Sequence, residues 1–341
     1  MTDSVSTPLR AGYDVLLLDL DGTVYQGPEA IPGAREALAA GAERQFYVTN
    51  NASRSPAQVA SHLRELGFDA TDADVVTSSQ SAARLLFERL EPGSAVLVVG
   101  TDALADEVAN VGLRPVRRFE DSPIAVVQGH SPATDWSILA EATLAIRAGA
   151  TWVAANVDTT LPTERGLVLG NGSLVAALRT ATAREPVVAG KPAAPLLEDA
   201  LNRSGAARAL VIGDRLDTDI AGANAVGVDS LLVLTGVSTT AELLRADTLH
   251  RPTYVAESLD ALNRLAGDAA VTSRPGWSVE FVGGDLVVRS ENREAAVESR
   301  VDRSAAFLSV LDAAWRHPEF VRVRTADDDA HAAVAFLLGD M

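Results

Sequence analysis

The chain of 341 residues has no cysteine. Disulfides, a thiolate zinc site, an iron–sulfur cluster and a cysteine nucleophile are therefore all excluded. No apolar run approaches the ~18 residues that a membrane-spanning helix needs, so no membrane insertion is expected. Met1–Arg10 is polar, without the basic start and apolar stretch of a signal peptide. Positive charge is also short: 29 basic against 46 acidic side chains give a net charge of −17. Nucleic acids and anionic membranes are recognised by clustered Lys and Arg, so neither is an expected partner. These absences together point to a cytoplasmic protein. Lysine is the scarcest charged residue, since every basic side chain but Lys191 is arginine. An ammonium is a compact point charge that fits sites a planar guanidinium cannot enter, so the position that keeps it is a candidate functional residue.

What is present reads as a globular protein of two or three domains, with 47% hydrophobic and 22% charged residues. Val15–Leu18 is a short apolar run ending at Asp19, the pattern of a parallel strand buried on both faces. A helical segment over 33–40, a strand over 45–48, a helix over 56–66, a strand over 75–77 and a helix over 79–90 continue the alternation. Further strands are expected at 209–212, 230–234 and 253–256. Alternation of this kind is the mark of a doubly wound α/β sheet, which binds its ligands at the carboxyl ends of the strands. Residues 92–184 hold enough further elements (strands at 95–99, 124–127 and 152–155, a helix over 136–148) for an inserted α/β domain. It leaves and re-enters at the strand ends, as a lid would. Thr272–Gly276 reads as a linker. Beyond it a hairpin (277–282, 286–289), a helix (303–315), a strand (320–324) and a closing helix (327–338) form a ββαβα unit.

Four clusters carry chemistry. In Asp19-Leu20-Asp21-Gly22-Thr23, Asp19 can act as a carboxylate nucleophile or metal ligand, and Asp21 as acid and base. Gly22 lets the backbone turn closely around an anion. An aspartate pair that only caps a turn is the plain alternative. Gly213-Asp214-Arg215-Leu216-Asp217-Thr218-Asp219 follows another buried strand and would complete an oxygen-only site for Mg²⁺. One of its aspartates is explained by capping the helix that follows; three are not. In Gly190-Lys191-Pro192, with the proline at a helix start, the ammonium can hold Asp19 ionised and neutralise phosphate charge. Thr49-Asn50-Asn51 offers a hydroxyl, amides and backbone N–H groups to phosphate oxygens. The five histidines are scattered and read as surface or packing residues, Arg117-Arg118 as a solvated pair, and Trp136 and Trp152 as core.

In this order the four clusters resemble the haloacid dehalogenase-like (HAD) phosphohydrolases over residues 12–270. Thr49-Asn50-Asn51, the Gly-Asp-Arg-Leu-Asp-Thr-Asp stretch and the placement of the insert narrow this to the NagD/p-nitrophenylphosphatase-like subfamily. Asn156–Pro162 and Gly170–Leu174 look like that subfamily's C2-type cap signature, with Leu169 where many relatives have proline. The resemblance implies a Rossmann-like parallel-sheet core over 12–91 and 185–270 and an inserted cap over 92–184 that sets specificity; the small α+β module over 276–341 lies beyond it. It implies Asp19 as nucleophile through an aspartyl-phosphate and Asp21 as acid then base. Mg²⁺ is implied on Asp19, the Asp21 carbonyl and Asp214, with Asp219 orienting Lys191 or a metal-bound water. Thr49, Asn50 and Lys191 would hold the phosphoryl group, with Gly22 and Asn51 beside it, and Asn156 and Arg165 would face the leaving group.

The subfamily spans nucleotide, pyridoxal, phosphoglycolate and glycerol phosphate phosphatases. With its extra C-terminal module and lysine-poor, Ala/Arg/Val-rich usage, the whole arrangement looks like the actinobacterial glycerol 3-phosphate phosphatases, which recycle phospholipid polar heads. The substrate is then a small phosphorylated metabolite. A broad-specificity or phosphoglycolate-type phosphatase is the alternative. The tail's ββαβα order resembles part of a GNAT-type acyltransferase but lacks a Gly-rich pyrophosphate loop. It reads as a regulatory, dimer-forming or CoA-binding module, the second giving a homodimer.

Overall fold

The computed structural model describes residues 7–163, 165–291 and 302–338. Its central sheet has six parallel strands in the order Tyr254–Ala256, Asp229–Val233, Ala209–Gly213, Val15–Leu18, Arg44–Thr49 and Val75–Thr77. All four residues of Val15–Leu18 are buried, because helices cover both faces of the sheet. This strand lies between Ala209–Gly213 and Arg44–Thr49. Asp19, Asp214 and Asn50 therefore leave from three adjacent strand ends. Helices Pro56–Glu65 and Ser78–Phe87 each begin with a capping box, Ser55 with Gln58 and Thr77 with Gln80. Those reciprocal bonds satisfy the free N–H groups of the first turn and fix each helix start.

A second parallel sheet has the order Val187–Val188, Thr151–Ala154, Ala125–Gln128, Ala95–Val99 and Arg114–Val116. Its edge strand lies beyond residue 184, so the inserted sheet continues further along the chain than the composition indicates. Two valines flanked by Pro186 and Ala189 are too short to stand out as a strand. Helices Asp102–Asn110 and Asn171–Thr182, strand Arg114–Val116 and the hairpin Thr160–Thr163/Gly166–Leu169 also escape the sequence reading. Helix Ser78–Phe87 joins the two sheets: its Ala82, Leu85 and Leu86 pack in one cluster with Val96, Val98, Val127 and Val153.

Two surface readings change. Trp136, expected in the core, is 82% exposed at the first position of helix Trp136–Arg147, whereas Trp152 is buried. Arg117 is not simply solvated. It donates to the carbonyls of Val98 and Gly100, both at 2.8 Å, and to Asp102.

The C-terminal segment has the expected ββαβα order. Trp277–Val282 pairs antiparallel with Asp285–Ser290, which pairs in parallel with Arg322–Thr325. Helices Arg303–Arg316 and Asp328–Val334 cover the sheet. Thr272–Gly276 does not set this unit apart. Trp277, Leu286, Phe307, Leu311 and Phe320 share one apolar cluster with Leu216, Ile220, Leu232, Leu243, Leu244 and Val255 of the central unit.

Candidate active site

Lys191 is the hub of the site. Its side chain is only 2% exposed, and its ammonium donates to Asp19 Oδ1 at 2.5 Å, Asp219 Oδ1 at 2.6 Å and the Val48 carbonyl at 3.1 Å. An ammonium has three protons, and all three are used. Burial works against its charge, but the Asp19 and Asp219 carboxylates outweigh that and raise its pKa, so it stays protonated. Asn50 holds the loop from which it projects: Oδ1 accepts from the Lys191 N–H at 2.8 Å, and Nδ2 donates to the Lys191 carbonyl at 2.9 Å. Pro192 does not begin a helix. The Lys191–Pro192 peptide is cis, and the helix runs over Ala194–Ser204.

The carboxylates crowd together. Asp19, Asp214 and Asp219 each place an oxygen within 4.8 Å of the others. Desolvation pushes Asp19 and Asp214 up to about 6 and Asp219 up to about 7, and mutual repulsion adds to each shift. Three carboxylates against one ammonium leave two negative charges in excess. Asp214 Oδ1 is buried without a partner among the described residues, and its Oδ2 accepts from the Val237 N–H at 2.6 Å. An all-oxygen donor set with this charge excess and one uncommitted buried oxygen fits a hard divalent cation. Asp219 has no such freedom, because its Oδ2 also accepts from the Arg215 N–H at 3.2 Å. It is the partner of Lys191.

Asp21 is exposed at the opening of the site. Crowding by protein atoms raises its pKa, opposed by Arg54, His62 and Lys191. Gly22 has φ +85°, and a Cβ there would stand 2.6 Å from Asp214 Oδ2. Only glycine meets both the backbone and the space requirement. A cavity of about 150 Å³ joins these residues to the inserted domain. Asp19, Asp21, Thr49, Asn50, Asn51, Asn156 and Lys191 all line it.

The sequence-derived residues separate into groups. Asn50 and Asn156 tie the two sheets together: Asn156 Nδ2 donates to the Asn50 carbonyl at 2.6 Å, and Asn50 Nδ2 reaches the Asp158 carboxylate at 3.3 Å. Thr49 Oγ1 accepts from the Asn51 N–H, and Asn51 Oδ1 accepts from Ser53. Arg165 is exposed in the turn between Thr160–Thr163 and Gly166–Leu169 and is not among the residues that line the cavity, although Leu161 and Pro162 of the same hairpin are.

Other lining residues were not named as site residues in the sequence, although Asn171 and Arg215 lie within its motifs. His130, set aside as one of the scattered histidines, borders the cavity with its Nδ1 buried and without a partner among the described residues, and desolvation lowers its pKa. Asn171, only 2% exposed, lines the cavity and donates to the Asn156 carbonyl at 2.7 Å. Arg215 lines it too, paired side-on through Nε and Nη2 with the Asp217 carboxylate. Arg215 was legible as part of its motif. His130 carries no local signal, because only the second sheet brings it to the site.

Two family models match the chain: haloacid dehalogenase-like hydrolase over residues 16–114, and HAD-hydrolase-like over 188–262. The chain is 53% identical to the D-glycerol 3-phosphate phosphatase of Mycobacterium tuberculosis, over 94% of this chain and 93% of that one. It is 36% identical to the acid sugar phosphatase of Staphylococcus aureus, over 73% of this chain and 96% of the relative. Among solved structures, the glycerol phosphate phosphatase of M. tuberculosis in complex with magnesium superposes with a TM-score of 0.92 at 52% identity, covering 97% of this chain and 99% of that one. The p-nitrophenyl phosphatase of Archaeoglobus fulgidus gives 0.67 at 29% identity, covering 73% and 98%. The chain belongs to the haloacid dehalogenase-like hydrolases and is a phosphatase of that family.

Proposed function

We propose that the protein releases phosphate from glycerol 3-phosphate, with Mg²⁺ as its metal and Asp19 as nucleophile. The observation that carries the substrate reading is the likeness to the M. tuberculosis D-glycerol 3-phosphate phosphatase, whose identity runs through nearly the whole chain.

Asp19, Asp214 and the Asp21 carbonyl would hold the metal, which neutralises charge on the transferring phosphoryl group when bound. Lys191 keeps Asp19 ionised and so nucleophilic. An Asp19 carboxylate oxygen forms a bond to phosphorus as the bond to the glycerol oxygen breaks, and Asp21 gives its proton to that departing alkoxide. Asp21 then takes a proton from the water whose oxygen attacks the phospho-Asp19 phosphorus, which releases phosphate and restores the carboxylate. A raised pKa suits Asp21 to both directions of transfer. We assign the central sheet to the chemistry and the 92–188 segment to a lid, with His130, Asn156 and Asn171 on the leaving-group side.

Phosphate release from glycerol 3-phosphate, phosphoglycolate, pyridoxal phosphate, a sugar phosphate and a nucleoside monophosphate tests the reading, run beside Asp19→Asn. Glycerol 3-phosphate should lead in kcat/KM, EDTA should abolish turnover, and the variant should lose more than about 10³-fold. A different leading ester would replace the substrate; turnover retained in Asp19→Asn would remove the mechanism. The mass of the active species decides between a monomer and the homodimer expected from the sequence.

A further inference from the structure

Among the described residues, the segment beyond residue 276 contributes none to the cavity, yet it is linked to the metal-binding end of the site by an unbroken set of contacts. Trp315 Nε1 donates to the Leu243 carbonyl at 3.0 Å. Arg245 donates to the carbonyls of Phe320 at 3.3 Å and Val321 at 3.1 Å, and its guanidinium lies 4.7 Å from the Phe320 ring centroid. Leu243 and Arg245 belong to the end of helix Thr240–Leu244, whose start is fixed by the Thr239–Glu242 capping box.

The residues just before that box hold the catalytic loops. Val237 donates its N–H to Asp214 Oδ2, and Ser238 donates its N–H to the Asp214 carbonyl at 3.2 Å. The Ser238 hydroxyl accepts from the Leu216 N–H at 2.9 Å, and the Thr235 hydroxyl donates to the Gly22 carbonyl at 2.6 Å. Gly236 lies so close to the Asp214 carboxylate that any Cβ would overlap it. Leu216 and Ile220, the ends of the π-helical turn that carries Asp219, are buried in the same apolar cluster as Phe307 and Leu311.

We propose that the C-terminal segment positions the Asp214 carboxylate for Mg²⁺, with Trp315 and Arg245 as positioning residues acting through helix Thr240–Leu244 and the 235–238 loop. Partners that orient a metal's ligands commonly govern affinity as strongly as some ligands do. The segment is an addition rather than a requirement of the fold. The S. aureus relative is matched over 96% of its own length by only 73% of this chain, and the second family model ends at residue 262. The inference rests on the Mg²⁺ site proposed above and is independent of which ester is the substrate.

The test uses the full chain and the variants Trp315→Phe, which keeps an aromatic ring and removes the N–H, Arg245→Met, and the two combined. Mg²⁺ is titrated into the resting protein by calorimetry, and the Mg²⁺ dependence of p-nitrophenyl phosphate hydrolysis is measured in parallel. The double variant should raise the Mg²⁺ dissociation constant roughly tenfold, while kcat at saturating Mg²⁺ stays within about threefold of the parent. An unmoved Mg²⁺ constant overturns the proposal, whatever happens to thermal stability or kcat. Should the double variant not fold, Trp315→Phe alone decides by the same titration. A parent protein that binds no Mg²⁺ would instead remove the metal reading itself.

Discussion

Lys191 holds the site together in the absence of metal, since three buried or half-buried acceptors share its protons. Replacing it by methionine keeps the volume of the side chain and leaves Asp19 and Asp219 without compensation. Removing one partner from a buried charge pair typically costs about 3–5 kcal/mol. Lys191→Met should therefore lower stability by that order at neutral pH, read by denaturant unfolding, and abolish phosphate release. The carboxylates also set a pH dependence. Asp19, Asp214 and Asp219 titrate in the folded protein at about 6, 6 and 7, above the ordinary carboxylate range. The metal-free folded state then binds more protons than the unfolded chain between about pH 4 and 7, so these groups make it less stable as pH rises through that window. Mg²⁺ must displace those protons. The rise in melting temperature on adding Mg²⁺ should be larger at pH 7.5 than at pH 5, and an equal rise at both would contradict the crowded-carboxylate account.

At the scale of elements, the strand ends matter more than the strands. Gly22 combines a left-handed backbone with contact against Asp214, so Gly22→Ala meets strain and overlap together, a burden of about 1–3 kcal/mol from the backbone alone. The variant should stay folded by circular dichroism and lose about 10²-fold in kcat/KM through a displaced Asp214. Parent-like turnover would show that the loop can give way. Asp19, Asp21, Lys191 and Asp214 were legible in sequence because each lies in a short local pattern, a buried strand followed by carboxylates or the single lysine. The core strands were legible because burial on both faces leaves continuous apolar runs. Asn171 fell inside the Gly170–Leu174 signature without being named as a site residue, and His130 was not legible, since what brings it to the cavity is the packing of a second sheet on the first. Trp136 misled because an aromatic at a helix start reads as core, although helix Trp136–Arg147 turns that position to solvent. The Val187–Val188 strand was missed because two residues carry no period.

For the molecule as a whole, the three units are in direct contact. Helix Ser78–Phe87 continues from the central sheet's edge strand Val75–Thr77 and packs on the second sheet. It binds Asp199 of helix Ala194–Ser204 through Ser81 and Arg84. The C-terminal segment shares a core with the flank of the central unit. Composition marked Thr272–Gly276 as a linker, but chain flexibility in sequence says nothing about the apolar surface on either side of it. Ending the chain after residue 271 would expose Leu232, Leu243, Leu244 and Val255 together. Such a truncation should be insoluble, or melt at least about 4 °C below the full chain, which corresponds to the loss of a kcal/mol or two at this size. A soluble product with the parent's melting temperature would mean that the segment is a separate domain after all.

The scarcity of lysine has a practical sequel. The only side-chain amine in the molecule is enclosed at the catalytic centre, so an amine-reactive ester has a single internal target. Acylation of Lys191 requires both access and loss of its ammonium proton, so its rate, read by mass spectrometry, would report how often Lys191 leaves Asp19 and Asp219.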